Sequence, residues 1–331
     1  MRWALLMNDI RLTRSLLEQG YNYGDLRRLQ RGGELVRVRR GAYAREDEVD
    51  QMVEKRYRRL MLATAPQLRD GAIFSHGSAA VMHGLPVWPE AVARVHVTRN
   101  RRGGGIKRSI VQVHGAPLLP GEIVLIDNLP VTSLTRTVLD LARTSPMTHA
   151  VAVGDRALAF GLTRKQLGLG LLAMERWPGV RAARRVVEFL DVRSESAGES
   201  MSRVRLMEEG LPRPELQYEV FGPDGGLRAR VDFYWDELGV VGEADGATKY
   251  DGSEPEPLTR EKVRQDKLGD AGLEVFRWGW DDLRRFEAVV QRFERARARA
   301  AHRPAADRHW RVLPPRERHF DPLKVAQEIP W

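Results

Sequence analysis

The 331 residues contain no cysteine, which excludes disulfides, thiolate zinc sites, iron–sulfur clusters and a cysteine nucleophile together. No stretch approaches the ~18 consecutive apolar residues that a helical membrane span requires, so no membrane partner is expected. The opening, Met1 to Met7, is apolar but has neither a basic lead nor a small-residue cleavage site. It does not read as a secretory signal, and the chain is expected in the cytoplasm. A P-loop, a dinucleotide fingerprint and a serine elbow are also missing, which leaves nucleotide-dependent and acyl-transfer chemistry without support. Lysine is scarce, since 47 of the 54 basic residues are arginine. Arginine suits bidentate contacts to phosphate and guanine, although a compositional bias of the whole chain is the simpler account.

The net charge of +9 is unevenly spread. Residues 1–60 carry 14 basic and 9 acidic groups, and Arg94, Arg99, Arg101, Arg102, Lys107 and Arg108 follow with no acid among them. Residues 191–285 reverse the balance with 14 basic against 22 acidic groups. Local clusters, more than the total, decide attraction to a polyanion. A chain of this length exceeds what one hydrophobic core usually serves, so several domains are expected.

Apolar Ile10, Leu12, Leu16 and Leu17 recur at helical spacing across 9–19, and Gly20 is a natural stop. A second helix over 25–31 sets Leu26 and Leu29 on one face and Arg27, Arg28 and Arg31 elsewhere. Leu35 to Val38 and Gly41 to Ala44 flank Arg39-Arg40, the pattern of a β-hairpin with cations at its tip, with Arg37 on the first strand. Helix, turn, basic helix and basic hairpin predict a winged helix-turn-helix over residues 1–50. Its second helix would enter the major groove of double-stranded DNA while the wing meets phosphates. The plainer alternative is a small helical subdomain with a solvated basic face.

These residues, Leu26-Arg27-Arg28-Leu29 and Gly33 through Tyr43, resemble the N-terminal domain of AbiEi-type antitoxins of abortive-infection toxin–antitoxin systems. Ser75-His76-Gly77-Ser78-Ala79-Ala80, His83-Gly84-Leu85-Pro86, Val95-His96-Val97-Thr98 and Arg136-Thr137-Val138-Leu139-Asp140-Leu141-Ala142 are similar to the second domain of that family. The resemblance covers about the first half of the chain. It implies a sequence-specific DNA binder that represses its own operon and opposes a cognate toxin, which is then a partner.

The middle segment, 51–190, reads as mixed α and β. A helix is expected over 56–68, strands over 72–75, 95–98, 110–114 and 123–126, and helices over 155–160, 163–172 and 180–190. His76, His83, His96 and His114 invite a metal reading. No carboxylate or second histidine sits at helical ligand spacing beside any of them, so satisfied structural histidines are expected. The loop Arg99-Asn100-Arg101-Arg102-Gly103 is either a solvated hairpin tip or a second phosphate contact.

In the segment 191–287, Ser196-x-x-Glu199 is a capping box that opens a helix to about Glu209, which gives Glu199 a structural role. Strands over 227–234 and 238–243 form a hairpin, and a turn centred between Glu237 and Leu238 pairs residues whose numbers sum to 475. Asp232 then opposes Glu243, with Asp245 on the same face. Opposed carboxylates repel unless a cation intervenes, and oxygen donors suit Mg²⁺ or Mn²⁺. Such an ion activates a water and stabilises charge on a scissile phosphate.

The series Asp232, Glu243-x-Asp245-Gly246, Lys249-Tyr250, Glu261-Lys262-x-Arg264-x-Asp266 and Val275-Phe276-Arg277-Trp278 resembles the very-short-patch-repair-like branch of the PD-(D/E)XK nucleases. The resemblance implies a restriction-endonuclease-like α/β domain with Glu199, Asp232, Glu243 and Lys249 catalytic and Asp232, Glu243 and Asp245 on the metal. Asp245 stands where that superfamily usually has lysine, and Lys249 supplies the displaced ammonium. A basic helix and Pro-rich tail over 288–331 complete an α+β chain. Three readings follow: a DNA-binding antitoxin or regulator, an Mg²⁺-dependent endonuclease targeted by its winged helix, and a toxin-neutralising interaction protein that does not touch DNA.

Overall fold

A computed structural model describes residues 10–45, 53–101, 103–222, 224–245, 268–269, 271–302 and 311–314. Lys249, Arg102, the run 261–266 and most of the Pro-rich tail lie outside the described residues. The chain is a mixed α and β protein that packs as two compact units, one from 1–144 with 166–180, the other from 145–165 with 181–331.

At the start of the first unit, strand β1 (Arg11–Leu12) leads into helix α1 (Thr13–Glu18), then α2 (Tyr23–Arg31), β2 (Leu35–Arg39) and β3 (Ala42–Arg45). Asn22 caps α2 by accepting from Gly24 N and Asp25 N at 2.8 and 3.0 Å, while Asp25 accepts from Asn22 N at 2.9 Å. This reciprocal box satisfies donors that the helix cannot. Leu16, Leu26 and Leu35, with Leu29 and Tyr43 against them, form the small core. The first helix starts later than its periodicity predicts, because Arg11 and Leu12 pair with Tyr43 and Ala42 and make a third strand in the order β1-β3-β2.

Helix α3 (Val53–Thr64) ends at a 3-10 turn, Ala65–Gln67, where Pro66 has no N–H with which to continue the helix expected to 68. A six-stranded mixed sheet follows: β4 (Ala72–Phe74), β5 (Val95–Asn100), β6 (Ile106–Lys107), β7 (Val111–Ala116), β8 (Ile123–Ile126) and β9 (Leu129–Thr132). Their order is β6-β7-β5-β4-β9-β8, with β5 parallel to β7 and β4 parallel to β9. Helix α4 (His76–Met82) leaves β4 directly, and Tyr57, Met61, Phe74, Val95, Val97 and Val131 build the core. Within α5 (Leu134–Thr144) the buried Arg136 and Asp140 pair at 2.9 Å one turn apart. Helix α7 (Arg164–Ala173) completes the unit.

The second unit holds α6 (Met147–Ala159), α8 (Val180–Phe189), α9 (Ala197–Glu208) and α10 (Glu287–Ala301) with a five-stranded sheet. Its strands are β10 (Glu215–Phe221), β11 (Leu227–Trp235), β12 (Val240–Ala244), β13 (Glu274–Trp278) and β14 (Arg311–Leu313), ordered β13-β12-β11-β10-β14. Asp155 of α6 accepts from Ser200 Oγ at 2.8 Å and Arg203 Nη1 at 2.7 Å, which ties that helix to α9. Alternation along β11 sends Phe233 and Trp235 into a cluster with Phe276, Trp278 and Phe293, and Tyr234 into another with Val241 and Leu268, where Val231 also packs. Phe233 pairs with Gly242 and Trp235 with Val240, the register expected from the turn. Gly242 is required there, since a Cβ would come within 2.8 Å of the Trp278 ring.

Candidate functional site

The described arginines of the N-terminal region divide by exposure. Arg27, Arg28 and Arg31 on α2, Arg37 on β2 and Arg40 at the hairpin tip are all exposed, and Arg28 pairs with Asp25. Arg39 is different. It is buried, its Nε donates to Ala63 O at 2.9 Å and its Nη1 to Arg40 O at 2.7 Å. The expectation that Arg39 touches DNA is corrected: a buried guanidinium donating to backbone carbonyls anchors the hairpin to α3 and has no face left for phosphate. Of the second basic loop, Arg101 is exposed and Arg99 half-buried with Nη2 on Asp70 O at 3.1 Å.

In the second unit, Glu199 sits in the first turn of α9 and is buried. Its N–H donates to Ser196 Oγ at 3.1 Å, the cap the sequence indicated. Its Oε2 accepts from Glu195 N at 2.9 Å and from Gln217 Nε2 at 2.9 Å. Gln217 also lies 3.5 Å from Asp232 Oδ1, at the limit of a hydrogen bond. Burial and the neighbouring charge of Asp232 push the Glu199 carboxyl up to about 7, so it holds a proton into the neutral range. Gln217 has a left-handed backbone, φ 59°, inside strand β10, and its Oε1 is buried with no hydrogen-bond partner among the described residues. Strained backbone and unsatisfied polar atoms each cost free energy and concentrate where a ligand compensates.

The other expected ligands meet a cation of the chain itself. In the parallel pair β12–β13, Glu243 lies opposite Arg277, and Glu243 Oε2 and Arg277 Nη2 are 2.7 Å apart. Asp245 Oδ1 is 3.9 Å from Nη1 of the same guanidinium. Asp232 Oδ2 accepts from Ala244 N at 3.0 Å. Glu199, Gln217 and Asp232 thus form one hydrogen-bonded group, and Glu243 and Asp245 share the Arg277 guanidinium as another. The first has the two oxygen-donor side chains that Mg²⁺ commonly takes from a protein. Gln217 is not legible in the sequence, because a lone glutamine in a strand carries no spacing signal.

The histidines are expected to be structural, and three of the four converge in the fold. His76, His96 and His114 come from α4, β5 and β7, and one donor atom of each lies within 4.8 Å of the other two. Ligand spacing along one helix carries no signal for ligands that adjacent strands bring together. His83 stands apart, with Nε2 2.8 Å from Thr132 O.

No family model matches the chain. Two uncharacterized proteins of Mycobacterium tuberculosis, MT2308 of strain CDC 1551 and Rv2248 of strain H37Rv, are each 29% identical over 258 residues, covering 77% of this chain and 89% of theirs. Among solved structures, the crystal structure of the RV2827C protein of Mycobacterium tuberculosis matches 57% of this chain and 77% of its own, with 16% identity and a TM-score of 0.39.

Proposed function

We propose that this protein is a cytoplasmic DNA-binding regulator of the antitoxin type, with a winged helix-turn-helix at its N-terminus and a nuclease-like second unit. The observation that carries the reading is the exposed set Arg27, Arg31, Arg37 and Arg40, displayed on a capped helix and a hairpin that share one small core. A helix of this width fits the major groove of duplex DNA, and a hairpin beside it reaches phosphates. Arg39 supports this arrangement by fixing the hairpin to α3. The full chain should shift a subset of duplexes from a random-sequence pool, and Arg27→Ala with Arg31→Ala should lose that selection. A pool retained equally by both proteins, or by neither, defeats the reading and leaves a cognate toxin as the partner without DNA.

A second reading, an Mg²⁺-dependent endodeoxyribonuclease, is favoured by the Glu199–Gln217–Asp232 group specifically. Two neighbouring carboxylates with a raised affinity for positive charge are a cation's natural partners. An ion there would activate water toward a phosphodiester, with Lys249 the ammonium the resemblance assigns to the phosphate. Supercoiled plasmid incubated with Mg²⁺ or Mn²⁺ should be nicked by the natural chain and left intact by Asp232→Asn. Equal nicking by both, or none by either, removes this reading and leaves the regulator.

A further inference from the structure

The histidine cluster of the first unit belongs to neither reading above. β5 and β7 are parallel with Thr98 opposite His114, which places His96 and His114 diagonally on one face of the sheet. Val95, Val97, Val111 and Val113 alternate to the other face and pack in the core. Pairing continues past β4, as Ser75 N donates to His96 O at 3.0 Å, and brings the start of α4 beside β5. His76 then stacks on His114, with ring centroids 3.7 Å apart and planes inclined by 14°. Its backbone is left-handed, φ 50°, although it is neither glycine nor in an exposed turn. Such outliers persist where the surroundings dictate a side chain's position.

The nitrogen atoms are arranged for a ligand. His96 Nδ1 and His114 Nε2 are 3.0 Å apart, a ring-to-ring hydrogen bond that a bound ion would replace. Two nitrogens on a tetrahedral ion at Zn–N distances of about 2.0–2.1 Å stand about 3.3–3.4 Å apart, so the pair is already near that separation. Ser75 Oγ meets His76 Nδ1 at 3.0 Å and itself accepts from Thr98 Oγ1 at 2.8 Å. With Nδ1 engaged, Nε2 of His76 is the donor atom, and the serine supplies the outer-shell hydrogen bond that orients a ligating imidazole. Buried Asp140 completes the surroundings. Arg136 Nε and Arg143 Nη2 grip it at 2.9 and 2.7 Å, and it lies close enough to act electrostatically on His76 and His114.

We propose that His76, His96 and His114 bind one divalent transition-metal ion of the zinc type, leaving a fourth position for water or an external ligand. Three neutral imidazoles suit Zn²⁺, Co²⁺, Ni²⁺ or Cu²⁺ and are poor ligands for Mg²⁺, so this centre is chemically distinct from the carboxylates of the second unit. His96 and His114 are half-buried, which gives the ion an approach from solvent, whereas His76 is buried.

The full chain, stripped with EDTA and dialysed, should take up one equivalent of Co²⁺ with the intense visible bands of tetrahedral coordination, and one equivalent of Zn²⁺ should bleach them. The paired substitution His96→Ala with His114→Ala should lower Zn²⁺ affinity by more than the ~10–100-fold typical of losing an outer-shell partner. His83→Ala should leave uptake unchanged, since His83 stands apart from the cluster with Nε2 on Thr132 O. Circular dichroism verifies the fold of each variant, and if the pair fails to fold, the stoichiometry and bands of the natural chain still decide. Absence of the bands, or Zn²⁺ uptake unaltered in the folded paired variant, overturns the proposal and returns the three residues to ordinary structural histidines.

Discussion

Replacing Glu199 by glutamine should stabilise the second unit at alkaline pH and change little in acid. The carboxyl titrates near 7 in the folded protein against an ordinary 4.5, because burial and the charge of Asp232 oppose ionisation. A folded pKa above the unfolded one means the native state binds the extra proton between these values. The contribution is fully present below 4.5 and is lost as pH rises through 7. At about 1.36 kcal/mol per pK unit, the ionised carboxylate costs at most roughly 3 kcal/mol, and relaxation around Asp232 makes a gain on the order of 2 kcal/mol at pH 8.5 the working figure. Glutamine keeps an oxygen to accept from Glu195 N and Gln217 Nε2, so the two hydrogen bonds survive. Urea unfolding of both proteins in EDTA, from pH 5 to pH 8.5, gives the difference directly. A difference independent of pH, or a variant less stable at pH 8.5, would refute the argument and show Glu199 ionised and stabilised by its donors.

Arg39→Ala should destabilise the first unit by about 1–3 kcal/mol, since it leaves the buried Ala63 carbonyl without its donor; a melt unchanged within error contradicts the anchoring role. Gly242→Ala should lower the melting temperature of the second unit, because its Cβ would lie 2.8 Å from the Trp278 ring and 3.1 Å from that of Trp235. Overpacking of this kind costs about 1–3 kcal/mol, and calorimetry showing no shift would mean that the rings give way.

What the sequence could reveal follows from the range of each interaction. The β11–β12 register was legible because a short turn fixes it and alternation of Phe233, Tyr234 and Trp235 confirms it locally. The capping role of Ser196 was legible for the same reason, as the hydrogen bond spans three residues. The partner of Glu243 was not, because Arg277 comes from a parallel neighbour 34 residues later whose register no local signal sets. Arg39 looked like its exposed neighbours Arg37 and Arg40, and only the packing of β2 on α3 distinguishes it. The histidine cluster escaped because its members lie on three elements, and parallel strand order is decided by the whole sheet.

Whether the N-terminal arginines engage DNA is read from the salt dependence of binding. Fluorescence anisotropy with a labelled duplex over a range of salt concentrations yields a slope of log affinity against log salt of about −0.9 per phosphate contact. The natural chain should give a steep negative slope, and Arg27→Ala with Arg31→Ala should reduce its magnitude by about 1–2 while Arg39→Ala, where folded, leaves it unchanged. A slope that the Arg27 and Arg31 substitutions do not alter would show that these arginines make no phosphate contact.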